Sequence, residues 1–277
     1  MKKSIVNTAR FISSIAAGFL LLSQTVSAEI PLKTFAEGDH RSEKNKARNE
    51  YRNPVETLEF FGITPYMTLV EISPGGGWYT EILAPYLKVK GHYIAAGFDP
   101  ESKVKYFSTN AKKFADKLKG NSRIYGKVEL TVMDVPNKLD FAKENSADMV
   151  VSFRNTHNWM RSKNADKVFA AIYKVVKPNG IFGLVQHRAD ENSTGDTSGK
   201  AGYIKQSEVI KMVEEAGFRL VATSEINANP KDTKDYKEGV WALPPTYGSK
   251  DKSNNEKYKA IGESDRMTLK FVKPAEK

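Results

Sequence analysis

The sequence predicts an α/β fold, a doubly wound and mainly parallel sheet with helices on both faces. Two observations lead to this prediction. From Met67 onward, short apolar runs typical of buried strands alternate with longer segments of helical periodicity. The first apolar run leads into three consecutive glycines, Gly75, Gly76 and Gly77, and a helical segment follows at once. A strand, a glycine turn and a helix in this order aim free backbone N–H groups at a ligand.

The remaining predicted elements follow in chain order. Helical spacing predicts helices over residues 49–61, 78–87, 102–118, 163–176 and 207–216, the last of them capped by Ser207. Apolar runs predict strands over residues 92–99, 128–134, 147–153, 181–187 and 217–225, and alternation predicts an edge or antiparallel strand over 266–272. The polar, glycine-rich residues 190–202 are typical of a mobile lid.

Three segments define the domain organisation. Residues 29–62 form a predicted helical leader, which is either a structural cover or brings Tyr51 and Arg52 into the ligand site. Residues 63–274 form the α/β domain. Within it, residues 227–260 are a predicted insertion before the last strand, rich in Asn, Pro, Lys and Asp.

The N-terminus has the three parts of an export signal: a basic start, an apolar core over residues 11–22 and a small-residue cleavage site over residues 26–28. An apolar core of this length is too short to span a bilayer, which takes about 20 residues. We predict that residues 1–28 are a signal peptide cleaved after Ala28. The mature protein is then periplasmic or secreted, with no stable membrane insertion.

Composition limits the classes of partner that the protein is expected to bind. The 277 residues carry a formal net charge of +10, and no cysteine is present. Lysines and acidic residues are interleaved along the chain, which is typical of a solvated mixed surface and not of a nucleic-acid patch. We therefore predict a small-molecule substrate and no nucleic-acid partner, and the oligomeric state stays open.

Acidic residues follow two of the predicted strands. Asp99 ends the second strand about 20 residues after the glycines, the spacing of a carboxylate that binds ribose hydroxyls. The alternative is that Asp99 and Pro100 only open a turn. Asp134 ends the third strand. In a parallel sheet of this kind the ligand binds at the carboxyl ends of the strands.

This order of motifs resembles the class I S-adenosylmethionine-dependent methyltransferases. The residues that carry the resemblance are Glu71-x-Ser73-x-Gly75-x-Gly77, Asp99, Asp134 and the turn Lys177-Pro178-Asn179-Gly180. Residues 54–62, 74–86, 154–159 and 262–272 look more closely like a group of exported, predicted methyltransferases. Ser73 stands where the family has its first glycine.

The resemblance implies a seven-stranded sheet whose last strand is antiparallel, with S-adenosylmethionine as the cofactor. It implies that the methionine part lies against the glycines, the ribose on Asp99 and the adenine near Asp134 and Val135. The cofactor-binding residues that it implies are Glu71, Ser73, Gly75, Gly76, Gly77, Asp99, Asp134 and Val135.

Methyl transfer is an in-line displacement, so the protein positions the reactants and removes a proton from a weakly nucleophilic acceptor. A neutral histidine suits that task at pH 7. We predict His157 as the base, with Asn155 beside it. The residues predicted to contact the substrate are Arg154 for an anionic group, Trp159, His187, Tyr51 and Arg52.

Structural roles for the same residues stay open. Arg154 and Trp159 are also compatible with capping the fourth strand and filling the core, and His157 with a hydrogen-bonded structural histidine. Glu263, Asp265 and Arg266 fit either a site or a salt-bridged brace under the last strand.

Other functions are excluded or kept as alternatives. No Gly-Lys-Ser/Thr follows the glycines, which excludes a nucleotide-hydrolysing P-loop. The sequence has no HxxxH pair of the kind that binds a metal ion, so a metal site is only a weak alternative. An acid on the first strand disfavours a dehydrogenase. Because an exported enzyme has no obvious supply of this cofactor, the main alternative is a non-catalytic, exported small-ligand-binding protein that keeps the fold. A third hypothesis is an envelope interaction protein that uses residues 227–260.

Overall fold

The fold is seen in a computed structural model that describes residues 29–194, 198–248 and 252–275. From Pro31 onward the described residues form one compact unit. The predicted signal peptide, residues 1–28, lies outside the described residues. Within the described ranges, no helix has both the length and the apolarity that a membrane span requires.

The described residues form seven strands and eleven α-helices. The strands are β1 (Thr68–Ile72), β2 (His92–Gly97), β3 (Glu129–Val132), β4 (Ala147–Phe153), β5 (Val176–His187), β6 (Arg219–Ser224) and β7 (Arg266–Val272). The helices are α1 (Leu32–Ala36), α2 (Glu43–Lys46), α3 (Asn49–Arg52), α4 (Pro54–Phe61), α5 (Thr80–Leu87), α6 (Lys105–Gly120), α7 (Ser122–Tyr125), α8 (Thr156–Arg161), α9 (Ala165–Val175), α10 (Gln206–Glu215) and α11 (Asn255–Ile261). Short 3₁₀ turns cover Gly239–Ala242 and Lys252–Asn254.

The strands form one sheet in the order β3-β2-β1-β4-β5-β7-β6. All neighbouring pairs are parallel except those of β7, which runs antiparallel to both β5 and β6. The strand order reverses between β1 and β4, where Val70 pairs with Ile94 on one side and with Val150 on the other. This arrangement confirms the predicted α/β sheet with an antiparallel last strand. A ligand is expected outside the carboxyl ends of β1 and β4.

Each face of the sheet is covered by helices. Because successive side chains of a strand point to opposite faces, Val70 and Leu69 of β1 belong to different hydrophobic cores. Val70 lies in a core with residues of α9 and α10, such as Phe169. Leu69 lies in a core with residues of α4 and α5, such as Phe61. Burial on both faces explains why the central strands are almost continuously apolar.

Several boundaries differ from the sequence-based expectation. The single helix predicted over 49–61 is broken at Asn53, which has a left-handed φ of 38° and precedes Pro54 at the first position of α4. Helix α8 was not predicted, because it is a single short helix directly behind a strand. β5 starts at Val176 and continues through the expected turn at residues 177–180. Ser207 does not cap α10; it hydrogen-bonds Glu191, and the N-cap is Lys205.

The insertion is ordered where it is described. It carries the 3₁₀ turn at Gly239–Ala242 and α11, and Ala242 and Leu243 are fully buried there. At its start, Asn227 Nδ2 donates to Thr57 Oγ1 and Thr268 Oγ1 at 2.9 Å each. The insertion is thereby tied to α4 and to β7. β7 itself lies between β5 and β6 and is not an edge strand.

Candidate functional site

The glycine turn after β1 is held in a left-handed conformation. Ser73, Gly75 and Gly77 have φ angles of 49°, 60° and 77°. Glycine adopts this region freely, and Ser73 adopts it at some cost in strain. Ser73 N–H donates to Ala96 O at 2.8 Å, and Gly77 N–H donates to Pro74 O at 2.9 Å. The serine in place of the family glycine therefore still follows the turn's backbone path.

The outer side of the turn is open. A Cβ added to Gly75 or Gly76 would meet no atom within 4 Å. The N–H groups of these two glycines donate no hydrogen bond to any of the described residues. Two free donors beside open space allow close approach of a ligand to the backbone. Gly77 differs, because a Cβ there would lie 2.9 Å from the Phe114 ring.

Glu71 lies beneath the turn and is 2% exposed. Thr80 Oγ1 donates to its Oε2 at 3.0 Å, and Tyr93 Oη donates to the same oxygen. Burial raises the pKa of Glu71 to about 7, although the two hydroxyl donors oppose this. Its carboxyl group braces β1 against α5 and β2. Direct contact between Glu71 and a cofactor stays a prediction.

A lysine closes the α6 side of the turn. Lys117 Nζ donates to Gly76 O at 2.8 Å and to Glu81 Oε1 at 2.7 Å. Beyond it, a cavity of about 680 Å³ runs between α6 and β3 and reaches Pro74, Gly75 and Phe98. Asp99 and Asp134 do not line this cavity. Gly75, Gly97 and Val132 do line it, so the cavity adjoins the glycine turn and the carboxyl ends of β2 and β3.

Asp99 follows β2 by two residues and is 5% exposed. The backbone N–H of Glu101 donates to its Oδ1 at 3.0 Å, and Lys138 Nζ donates to its Oδ2. The hydrogen bond from Lys138, and after it that from Glu101, lowers the pKa of Asp99. An ionised carboxylate is thus available at the predicted ribose position, with a lysine as its present partner.

Asp134 and Val135 follow β3 in a tight loop. Asp134 N–H donates to Lys138 O at 2.9 Å, and Lys138 N–H donates to Asp134 O at 2.7 Å. This backbone ladder brings Lys138 next to Asp99. Asp134 and Val135 are both half-buried. Their predicted contact with adenine stays a prediction.

Asn155 joins the two halves of the cleft at the point where the strand order reverses. Its Nδ2 donates to Ile72 O, the last residue of β1, at 3.1 Å and to Ser152 Oγ of β4 at 3.3 Å. The side chain therefore ties the ends of the two strands together. This placement supports a positioning role for Asn155.

His157 and His187 are brought together, with ring centroids 5.7 Å apart. Trp241 of the insertion packs edge-on against His157, also at 5.7 Å. His187 Nδ1 shares a hydrogen bond of 2.5 Å with Ser264 Oγ. Burial lowers the pKa of His157 to about 4, and burial together with His157 and nearby arginines lowers that of His187 well below its ordinary value. Both imidazoles are neutral at pH 7.

The tautomer of His157 follows from Gln186. Gln186 Nε2 donates to Gly202 O at 2.8 Å, which fixes the orientation of the amide. The same Nε2 lies 3.3 Å from His157 Nδ1. Nδ1 is therefore the acceptor, and the proton of the neutral ring is on Nε2. His157 can donate from Nε2, whereas accepting a proton requires loss of the Gln186 contact.

Trp159 lies in the hydrophobic core. It is 4% exposed and packs edge-on against Phe169 at a centroid distance of 5.6 Å. This is the core-filling role that the sequence left open, and substrate contact stays only a prediction for this residue.

Four arginines surround one buried carboxylate and form what is called below the arginine cluster. Glu263 is contacted by Arg48 at 2.6 Å, by Arg52 and Arg266 at 3.1 Å each and, more loosely, by Arg154 at 3.9 Å. Burial acts to raise the pKa of Glu263, but the four guanidinium groups outweigh it and hold the pKa at about 2.

The leader contributes to this cluster. Arg52 also lies over the Trp78 ring at 4.7 Å. Tyr51 is half-buried, and a Cβ added to Gly262 would lie 2.7 Å from its ring. Arg52 therefore reaches the carboxyl-end cleft, and Tyr51 packs beside the Gly262–Arg266 segment. Its ion pairs make the segment a salt-bridged brace before β7.

Three residues of the cleft were missed from the sequence: Lys138, Arg48 and Trp241. Arg48 carried no signal, since it lies in a lysine- and arginine-rich segment, and Lys138 carried none because it is a single exposed lysine in the loop after β3. Trp241 lies in the predicted insertion, and its partner, His157, is 84 positions away in the sequence. In the described part of the chain, no group of His, Asp and Glu has the arrangement of a metal site.

Comparison with known proteins agrees with this fold. Residues 70–184 match the family model described as a methyltransferase domain. The S-adenosylmethionine-dependent methyltransferase from Aquifex aeolicus matches with a TM-score of 0.56 and 17% identity, and the match covers 82% of this chain and 93% of that one. The [4+2]-cyclase SpnF has a TM-score of 0.55 and 15% identity, covering 87% and 86%. The glycopeptide N-methyltransferase MtfA has a TM-score of 0.51 and 13% identity, covering 81% and 90%.

At these identities the structures show the fold alone, and no curated protein matches the chain in sequence. Residues 70–184 thus match a methyltransferase domain, and the chain has the Rossmann-like fold of these solved structures. The cofactor implied by that fold fits the residues present, because the outer side of Gly75 and Gly76 is open and an ionised Asp99 stands at the end of β2.

Proposed function

We propose that this protein is an S-adenosylmethionine-dependent methyltransferase that acts on a small molecule or a component of the cell envelope. The observation that carries the proposal is a coincidence of two independent signals. The segment that matches the methyltransferase domain, residues 70–184, contains the open glycine turn, Asp99 and Asn155. All three lie at the carboxyl ends of β1, β2 and β4.

The cofactor would be held on the β1–β3 side of the cleft. The free N–H groups of Gly75 and Gly76 would face its methionine part, and Asp99 would accept from the ribose hydroxyls in competition with Lys138. Asp134 and Val135 would lie beside the adenine. When bound, S-adenosylmethionine supplies a sulfonium methyl group to a nucleophile that approaches in line.

The acceptor would lie on the other side of Asn155, near the two histidines. Both imidazoles are neutral at pH 7, which suits proton removal. His187 holds Ser264 through Nδ1, while His157 presents a donor at Nε2. We infer that His157 orients the acceptor through its Nε2 proton while Gln186 holds Nδ1, that it acts as the base only once that contact is lost, and that His187 is the second candidate base.

Binding measurements test the proposal. We expect calorimetry to show binding of S-adenosylhomocysteine to the wild-type protein and loss of binding in Asp99→Ala. Glu101→Gln is the matched control, because Glu101 contacts Asp99 only through its backbone N–H. No binding of either S-adenosylmethionine or S-adenosylhomocysteine to the wild type at millimolar concentration would refute the proposal.

The alternative of a non-catalytic ligand-binding protein makes a different prediction. It is motivated by Lys138, which occupies the carboxylate that the ribose needs. A methyltransferase purified gently is expected to carry S-adenosylhomocysteine or S-adenosylmethionine, detectable by mass spectrometry of the denatured sample. A different nucleoside-like ligand in the same sample would favour the alternative.

We further propose that the protein is exported and that its signal peptide is removed after Ala28. The basis is the basic start, the apolar core and the small residues at positions 26–28. Expression of the full chain followed by cell fractionation and intact-mass measurement tests this. A mass that includes residues 1–28 in the exported fraction, or retention in the cytoplasm, contradicts the proposal.

A further inference from the structure

The arginine cluster carries more positive charge than its central carboxylate balances. Glu263 Oε1 accepts from Arg48, and Oε2 accepts from Arg52 and Arg266. Arg154 lies 3.9 Å from Oε2, beyond hydrogen-bonding distance. Four guanidinium groups therefore share one carboxylate. Like charges this close and this buried repel each other strongly, since little water screens them.

The neighbouring acids do not relieve this imbalance. Asp265 accepts from Arg188 at 3.0 Å and pairs with Lys234 at 3.1 Å. Glu225 is engaged by Arg188 as well. Among residues 29–194, 198–248 and 252–275, no carboxylate other than that of Glu263 forms an ion pair with the cluster. The cluster thus lacks negative charge within its own surroundings.

Two members of the cluster also have unused donors. Arg52 is 2% exposed, and its Nη1 is buried without a hydrogen-bond partner in the described structure. Arg154 makes no hydrogen bond through its guanidinium with any described side chain or carbonyl. Its backbone has a φ of 62°, an uncommon conformation for a residue with a side chain. A buried donor without a partner costs free energy, so an acceptor supplied by a ligand would be favoured here.

One side of the cluster is open. The side chains of Arg154 and Arg48 are 25% and 19% exposed, whereas those of Arg52 and Arg266 are 3% exposed. An anion from solvent therefore meets Arg154 first. The planar guanidinium fork matches carboxylate and phosphate oxygens in a bidentate manner.

The cluster lies between the glycine turn and the histidine pair. Arg154 directly follows β4 and precedes Asn155, and Arg266 pairs in register with His187. Tyr79, two positions after the last glycine of the turn, approaches Arg52 O at 3.4 Å through its hydroxyl. A group bound at Arg154 would leave the rest of its molecule close to the end of β1.

We propose that the arginine cluster binds a carboxylate or phosphate group of the methyl acceptor, with Arg154 as the outer contact. The oxyanion site stands on the cluster alone; its assignment to the acceptor rests on the proposed methyltransferase function. The acceptor is then an organic acid or a phosphate ester. Neutral analogues are rejected, because they leave the buried guanidinium groups without an acceptor.

Calorimetric titration with inorganic phosphate at constant ionic strength tests the anion site. In Arg154→Gln we expect the dissociation constant to rise about tenfold relative to the wild type, the effect of one lost charge-assisted interaction. Arg161→Gln is the matched control: Arg161 lies in α8, is exposed and bonds only Asn158 among the described residues. We expect its affinity to stay within about twofold of the wild type. An unchanged affinity in Arg154→Gln overturns the proposal.

The folding of each variant is checked by circular dichroism and thermal melting. If Arg154→Gln does not fold, Arg48→Gln replaces it, because Arg48 is partly exposed and contacts Glu263 through Nε alone. We expect the same direction of change in phosphate affinity. Equal affinities of Arg48→Gln and the wild type then count against the site.

A second pair of ligands separates the acceptor from the cofactor. S-adenosylhomocysteine carries a carboxylate, and 5′-methylthioadenosine lacks it. If Arg154→Gln weakens binding of the first and not of the second, the cluster holds the cofactor's carboxylate and the assignment to the acceptor is overturned. Unchanged affinity for both, with weakened phosphate binding, supports the acceptor. If the wild type binds phosphate through Arg154 and binds neither nucleoside, the proposed function fails and the anion site remains.

Discussion

The two sides of the cleft are built in opposite ways. On the β1–β3 side, the turn from Ser73 to Gly77 and the carboxylate of Asp99 come from short, local motifs, and the backbone itself presents the donors. On the β4–β7 side, Arg48, Arg154 and Glu263 come from the leader, the end of β4 and the segment before β7. That side consists of buried charged side chains from distant parts of the chain.

The difference separates a general binding surface from a specific one. A backbone turn can bind the same cofactor with many side chains around it, whereas a buried charge cluster imposes a definite chemistry on its ligand. We therefore expect cofactor binding, which is common to the fold, on the first side and substrate selectivity on the second. Four substitutions test this contrast, from the largest expected effect to the smallest.

Removal of the central carboxylate of the arginine cluster tests the charged side of the cleft. Glu263→Gln leaves four guanidinium groups without an anion, and we expect the free energy of unfolding to fall by about 3–5 kcal/mol. Urea denaturation followed by circular dichroism measures it. Glu225→Gln, whose side chain is 67% exposed, is the control and should cost less than about 1 kcal/mol. Similar losses in the two variants would show that the cluster is not held by Glu263.

The pH dependence of Glu71 tests the support of the glycine turn. Its pKa is about 7 in the folded protein against an ordinary 4.5, so the folded state holds a proton that the unfolded state has released. The stability contributed by this proton is complete below pH 4.5 and is lost as the pH rises through 7. Between pH 4.5 and pH 8, the free energy of unfolding of Glu71→Gln should therefore increase relative to that of the wild type by on the order of 3 kcal/mol.

Urea denaturation across this pH range measures the effect. Glu56→Gln, an exposed carboxylate of α4, is the control, and its difference from the wild type should stay constant to within about 0.5 kcal/mol. A constant difference for Glu71→Gln as well would mean that this carboxyl group is ionised in the folded protein at neutral pH.

A methyl group on the open side of the turn tests the backbone-built surface. In Gly76→Ala the new Cβ meets no protein atom within 4 Å, so stability should change by less than about 1 kcal/mol. The methyl group enters the ligand space, and we expect S-adenosylhomocysteine to bind about tenfold more weakly by calorimetry. Gly120→Ala at the end of α6 has equally open surroundings and should leave binding unchanged. Unchanged binding in Gly76→Ala places the cofactor elsewhere.

The smallest expected effect is that of releasing Asp99 from Lys138 on the affinity for the cofactor. Lys138→Met removes the side chain that donates to the Asp99 carboxylate. In the wild type, this lysine competes with a ribose for the same oxygen. We expect S-adenosylhomocysteine to bind about two- to threefold more tightly, because an exposed lysine is a weak competitor. Lys167→Met, an exposed lysine of α9 that does not line the cavity beside the turn, is the control. Weaker binding in Lys138→Met indicates that Lys138 contacts the cofactor directly.

Much of the fold could be predicted from the sequence because its signals are local. Alternating helical and apolar segments predict the parallel sheet, β4 was predicted with its observed bounds, and Arg266–Val272 was predicted as an edge or antiparallel strand. The missed features depend on context. Asn53 breaks a continuous helical pattern through a single left-handed residue, and β5 extends through a segment whose proline and glycine are typical of a turn.

The candidate site divides in the same way. The sequence by itself determined the glycine turn and the acid at the end of β2, because both are motifs with a fixed position relative to a strand. Only the tertiary structure decided that Lys138 meets Asp99, that Trp241 packs on His157 and that Arg48 and Arg52 share Glu263. The last of these contacts joins residues more than two hundred positions apart, and no local pattern encodes it. Which buried charges pair with one another depends on the packing of the whole chain, because an unpaired charge is unfavourable only where the folded interior removes it from water.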